Sequence, residues 1–428
     1  MEINRRMSIR FPWLLGVLLL LSIALLMACG SHFSASSDGL VVVPSLGNGV
    51  MQSFSFDLSS GHVSTISTTP AIPGPPAQGA PTAIVLDPAG TFAYVTTTHL
   101  TQAGTDPCTS SNAIATYKVN SDGSLSTIGS QGVGTNPPVA LAMDSAGKFL
   151  FVVNSATCIH PGNTIKAGYV SVFSIGSNAS LTAVPGSPFA VPAAAGSPAP
   201  NPLSLAVTHT TFPAATTPAA CGSQIPPKAE FLYVADSAGN DVVGYAVGSS
   251  GGLTPITVTT GAGFPTGTTP SGVVVDPCNR FVYVTNQLSN DVSAYNICNA
   301  IGIAACTTND WSLLPVSGSP FGAGTSPGPV VVDPFGNFLY VLDTGQSAIS
   351  AYKIAQVTGV LSALNPPTVA VGSNPVSIAI RGDDNWMFVT NYLSATVSQF
   401  LITPATGALT AVSTGIVTDN FPWGVAVK

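Results

Sequence analysis

The chain has 428 residues, of which 45% are hydrophobic and only 7% charged, against roughly 25% charged in an average globular domain. Outside the first 29 residues the sequence carries 8 Lys+Arg against 17 Asp+Glu, so it offers no basic stripe for a nucleic-acid partner. The 43 Gly and 36 Pro punctuate short, regular apolar runs, which argues for a packed all-β core and against disorder.

Residues 1–28 read as an export leader: basic residues, then an apolar run from Phe11 to Ala28. The run is also just long enough to span a bilayer as an uncleaved anchor. Leu26-Met27-Ala28-Cys29 resembles the lipobox of bacterial lipoproteins, which implies that Cys29 carries the lipid and becomes the mature N-terminus. Arg5-Arg6 partly resembles a twin-arginine signal, so the export route stays open between that and the general secretory one. Gly30 stands where an Asp commonly holds lipoproteins at the inner membrane, which points to the outer membrane. Residues 29–39 form a polar flexible tether. The expected location is therefore extracytoplasmic, anchored to a membrane through Cys29.

From residue 40 to 428 one unit recurs. Prolines at 81, 137, 202, 270, 327, 375 and 422 each open an apolar first strand. Second strands follow as FAYVTTT, FLFVVNS, FLYVADS, FVYVTNQ, FLYVLDT and MFVTNY, and third strands as AIATYKV, YVSVFSI, DVVGYAV, DVSAYNI, AISAYKI and TVSQFLI. Short fourth strands such as LTAV and LTPI complete each unit. Such a repeat is the mark of a radial array of four-stranded antiparallel sheets. Residues 40–66 supply strands two to four of a unit without a first strand, and Pro422–Lys428 reads as a first strand with nothing after it. Joined, they make seven blades and close the ring, leaving no long unpaired edge. The recurring turn Asp87-Pro-Ala-Gly90, Asp276-Pro-Cys-Asn279, Asp333-Pro-Phe-Gly336 gives its aspartates a turn-capping role rather than a catalytic one.

The segments DPxG-x-F-x-YV, N-x-VSAY and Gly-Ser-Pro-Phe (186–189 and 318–321) resemble the YVTN-type repeat and the wider lactonase-like seven-bladed propellers, relatives of 6-phosphogluconolactonase. The resemblance covers residues 40–428. It implies the propeller fold strongly and the activity weakly, because this fold hosts enzymes, binders and scaffolds.

Naming the strands of each blade A to D, the long inserts fall at 99–112, 156–168, 209–229 and 298–310. Apart from Cys29, six cysteines remain in an oxidising compartment. Their repeat positions pair Cys108 with Cys158, Cys221 with Cys278, and Cys298 with Cys306. No zinc-type spacing is present, and neither metal nor cofactor is expected.

Ionisable residues are few. Glu230, next to a Lys228-Ala-Glu230 turn, is expected to be solvated; Arg280 to lie on a surface hairpin; Arg381 to pair within Arg381-Gly382-Asp383-Asp384. Asn240-Asp241 and Asn290-Asp291 suit turn capping or, less simply, calcium. His99 and His160 lie in the inserted B–C loops of adjacent blades and are the candidate catalytic pair, with His209 on the opposite face. The scarcity of cations argues against a phosphorylated substrate. Two readings follow: a monomeric, lipid-anchored binding or scaffold propeller facing an envelope protein or glycan, or a lactonase-like hydrolase acting on a sugar lactone.

Overall fold

A computed structural model describes residues 38–47, 49–69, 79–99, 112–156, 166–210, 221, 230–256, 258, 262–298, 306, 310–412 and 415–428; nothing is said of the side chains of Thr69, Gly79 and His99. These residues form seven antiparallel sheets of four or five strands. The ring closes as expected. Ala426–Val427 is the innermost strand of the blade whose other strands are Asp38–Ser45, Val50–Asp57 and Val63–Thr69, pairing Val42 with Ala426 and Val41 with Val427. Counting that blade as one, blade two starts at Gly79, three at Pro138, four at Pro202, five at Pro270, six at Pro327 and seven at Pro375.

In blades two to seven prolines do two things near the start of strand A. They remove an N–H where the strand has no inner partner, and they coincide with a register shift against strand B, as between Pro270 and Gly272. The residue released by that bulge stitches neighbours together: Thr82 Oγ1 donates to the Pro138 carbonyl at 2.6 Å, and Ser271 Oγ to that of Pro327 at 2.9 Å.

The outer edge differs from a simple four-strand blade. In blades three, four, five and seven strand D is split, and a second short piece (Phe189–Ala190, Phe264–Pro265, Phe321–Gly322, Ile416–Val417) pairs with the start of strand C. In two of these blades a serine bridges the break. Ser187 Oγ accepts the Val172 amide at 3.0 Å and Ser319 Oγ that of Ala294 at 2.9 Å, so the interrupted ladder leaves no buried donor unpaired.

The aromatic residues of the repeat are clamps between blades. The strand B tyrosine reaches forward to the next blade's C–D turn: Tyr233 to Trp311 O (2.8 Å), Tyr283 to Gly359 O (3.0 Å), Tyr340 to Gly407 O (2.8 Å). The strand C tyrosine reaches back to the previous blade's edge: Tyr245 to Ala190 O, Tyr295 to Pro265 O, Tyr352 to Gly322 O. Blade seven has Phe388 in place of the forward tyrosine. Its cross-strand partner is Gln399, where blades five and six have alanine, and the Gln399 amide donates to Gly61 O at 3.1 Å. The clamp is thus kept by a different side chain on the neighbouring strand. Seven apolar clusters fill the spaces between blades.

Candidate functional site

The seven innermost strands contain no ionisable side chain. Charged chemistry at the axis must therefore come from the loops at its two mouths. The mouths differ. Of the described cations, Lys118, Lys148, Arg280, Lys353, Arg381 and Lys428 lie at the end carrying the A–B and C–D turns, and Lys166 at the other. Carboxylates such as Asp87, Asp144, Asp276, Asp333 and Asp383 share that end, so it carries charge of both signs.

Six A–B turns ring that mouth, and in five of them the first residue is a hydrogen-bond acceptor. Asp87 Oδ1 takes the amides of Thr91 and Phe92 (2.5 and 2.6 Å), Asp144 Oδ1 those of Lys148 and Phe149 (2.6 and 2.5 Å), and Asp333 Oδ1 those of Asn337 and Phe338 (both 2.6 Å). Asp276 takes those of Arg280 and Phe281, and Thr208 Oγ1 accepts the amide of Phe231 at 2.9 Å. These are structural carboxylates, as the repetition of the turn implies. The fourth turn residue sits at positive φ and faces the preceding blade. Gly90, Gly147 and Gly336 occupy it in three blades, and a Cβ on Gly336 would stand 2.8 Å from Arg280 Nη2.

Blade seven breaks the pattern at each of these places. Arg381 replaces the accepting aspartate, Gly382 the proline, and Asp384 the glycine, at φ 58°. Arg381 pairs with Asp383, side chains 22% and 33% exposed. The turn keeps the 2.8 Å bond from the Arg381 amide to Trp386 O and a 3.3 Å bond from the Asn385 amide to Asp383 Oδ1. Asp384 is fully buried and neither carboxylate oxygen has a partner. Burial, then the neighbouring Asp333 and Asp383, push its carboxyl up to about 7; burial pushes Asp333 up to about 6 against the amides that hold it. Local rules broken without compensation mark a site selected for something other than stability.

That turn opens on a cleft of about 600 Å³ where blades seven, one and two meet, lined by Arg381, Asp383, Lys428, Asp87, Leu86 and Val427 among others. The Lys428 ammonium is tethered at 3.3 Å to Gly90 O. The cleft thus offers an Arg–Asp pair, a second cation and the apolar side chains of Leu86 and Val427.

Two sequence expectations are corrected. Glu230 is 8% exposed, not solvated, because it opens strand B of blade four beneath blade three's turn; burial, then Asp144, raise it to about 7 against the opposing pull of Lys148. Arg280 is 8% exposed, not a surface residue: it pairs with Asp276 at 2.8 Å and reaches Gln356 Oε1 of blade six at 2.8 Å. Arg381 pairs within its turn as expected. His209 lies at the A–B end, where its backbone exchanges two hydrogen bonds with the Asn279 side chain; burial lowers the affinity of its ring for a proton, with Asp276 opposing. Asn240 and Asn290 brace interblade crossings, accepting the amides of Thr269 and Ser326 at 2.8 Å. Cys221–Cys278 and Cys298–Cys306 are bonded. Cys29, Cys108, Cys158, His160 and the side chain of His99 lie outside the described residues.

The fold and this charged mouth define a seven-bladed β-propeller whose only axial chemistry, among described residues, is in its loops. A family model described as lactonase, 7-bladed beta-propeller, matches residues 32–159 and 213–423, and the chain belongs to that family. It is similar in fold to a putative 6-phosphogluconolactonase from Bacteroides fragilis (16% identity, 92% of this chain and 99% of that one, TM-score 0.68). It is similar also to the periplasmic gluconolactonase of Pseudomonas aeruginosa (17% identity, 91% and 99%, TM-score 0.66). At such identities the likeness establishes architecture alone. Among curated proteins none matches the chain.

Proposed function

We propose that the protein is a lactonase-type hydrolase acting on an uncharged sugar lactone at the A–B mouth. The observation that carries this reading is the Arg381–Asp383 pair in the A–B turn that has lost its capping acceptor, opening on the mouth cleft. Family membership supports the reaction class, and the names of the structural neighbours, a gluconolactonase among them, support the substrate class.

In this reading Arg381 hydrogen-bonds the lactone carbonyl oxygen and stabilises the oxyanion as it forms. Asp383 accepts a proton from the attacking water. The water oxygen bonds to the carbonyl carbon, the ring C–O bond breaks, and the proton passes from Asp383 to the departing alkoxide, giving the open hydroxy acid. Lys428 is placed to hold a substrate hydroxyl. Two cations facing two carboxylates suit a neutral polyol ring better than a phosphate, which Arg and Lys forks would need to surround.

The two disulfides support placing this activity in an oxidising, extracytoplasmic compartment, with the lipid on Cys29 as its tether. Labelled fatty acid incorporated by the full chain and lost in Cys29→Ser tests the anchor. The activity is tested on purified protein with glucono-δ-lactone, galactono-γ-lactone and 6-phosphogluconolactone. Turnover of the neutral lactones above the spontaneous rate, lost in Arg381→Ala, is the expected result. No turnover on any of them overturns the hydrolase reading in favour of an envelope binding module.

A further inference from the structure

The clamps do not run unbroken round the ring. The hydroxyl of Tyr94 in blade two is buried without a partner. A larger break lies between blades seven and one. Of the four blades whose strand D is split, three follow one rule. The outer piece opens with a phenylalanine, Phe189, Phe264 or Phe321, and the carbonyl of its second residue accepts the hydroxyl of Tyr245, Tyr295 or Tyr352 from the next blade. Blade seven has Ile416-Val417 instead, and blade one has Phe54 at the cross-strand place of those tyrosines. A ring and a hydroxyl are both missing from this seam. Here the surface opens into a cleft of about 540 Å³, lined from blade seven by Val412, Ile416 and Val417 and from blade one by Ser60, His62 and Thr65 among others.

We propose that this cleft binds a small neutral compound carrying a hydroxyl on an apolar ring, the two groups that the protein's own side chains supply at the three equivalent seams. The ring lies against Val412, Ile416 and Val417, and the hydroxyl donates to the Val417 carbonyl, which meets no tyrosine here. Val417 is 78% and Val412 36% exposed, so a ligand reaches both from solvent. The lining is mixed: His62 and Thr65, also exposed, can bond further hydroxyls on the ring. No Lys, Arg, Asp or Glu is among the described lining residues, which favours a neutral ligand over an ion. The volume lies within the roughly 300–1,000 Å³ usual for ligand pockets. The cleft shares no residue with the mouth cleft, and it does not depend on the lactonase reading.

Phenol is the probe, and anisole, which keeps the ring and lacks the donor, is its control. Dissociation constants are measured by ligand-observed NMR on wild type, Ile416→Phe, Val417→Ala and Val357→Ala. Ile416→Phe restores the ring of the other three seams. Val417→Ala trims an exposed side chain on which folding does not depend, and Val357, 89% exposed in blade six, lies outside the cleft. Phenol binding that weakens about tenfold in Ile416→Phe and in Val417→Ala, is unchanged in Val357→Ala, and exceeds that of anisole about tenfold sustains the site. Absence of phenol binding, or equal binding by Val417→Ala, overturns it; anisole binding as tightly as phenol overturns the hydroxyl contact. Lactone turnover is read separately, so failure of either proposal leaves the other standing.

Discussion

The A–B turns of blades five and seven occupy equivalent places and are built to opposite ends. In blade five, Asp276 accepts the turn amides and pairs with Arg280, Arg280 continues to Gln356 of blade six, Asn279 braces the His209 backbone, and Cys278 is bonded to Cys221. Nearly every polar atom has a partner, and three neighbouring segments are tied to one turn. In blade seven the arginine stands where the aspartate should be, and a carboxylate at positive φ is buried with none. A turn that satisfies itself has nothing left to offer a ligand. The unsatisfied one retains donors, acceptors and an open cleft.

The contrast is broken most sharply by exchanging roles. Arg381→Ala should lower lactone turnover about 100-fold, the usual order for losing one oxyanion donor, with an unchanged unfolding midpoint; steady-state kinetics and a denaturation curve on the same preparation check both. Asp276→Ala in blade five should do the converse, leaving turnover intact while costing about 3–5 kcal/mol, because it strands a buried guanidinium. Chemical denaturation measures that loss.

Asp384→Asn sharpens the same comparison from inside blade seven. Asparagine tolerates the left-handed backbone and can bond the adjoining turn as Asn279 does, so stability near neutral pH should rise by roughly 1–2 kcal/mol. The wild-type carboxyl, held near 7, binds its proton more tightly folded than unfolded. Its contribution is complete below the ordinary carboxylate range and is lost as pH rises through about 7. The slope of stability between pH 4 and pH 7, read from urea midpoints, should flatten in the variant; an unaltered slope would show that the group is solvated. The smallest effect distinguishes the clamps. Tyr340→Phe should cost about 1 kcal/mol by orphaning Gly407 O, whereas Tyr94→Phe should cost almost nothing, and thermal unfolding compares them.

Sequence alone carried the blade count, the strand order and the closure by Pro422–Lys428, because burying alternate faces of short strands leaves a periodic trace that needs no partner to be read. It also carried two disulfides, Cys221–Cys278 because equivalent loops of adjacent repeats are neighbours in a ring, and Cys298–Cys306 because its cysteines share one loop. Arg381 was legible as a turn ion pair, but its importance was not: the sign appears only when the six turns are superposed and five are seen to cap themselves. The environments of Glu230 and Arg280 belonged to tertiary structure, because what buries them comes from the blades on either side, Asp144 before and Gln356 after. So did the buried Tyr94 hydroxyl, which finds no hydrogen-bond partner at its seam. Periodicity is local and survives in one dimension; burial and hydrogen-bond completion are sums over neighbours that only the closed ring assembles.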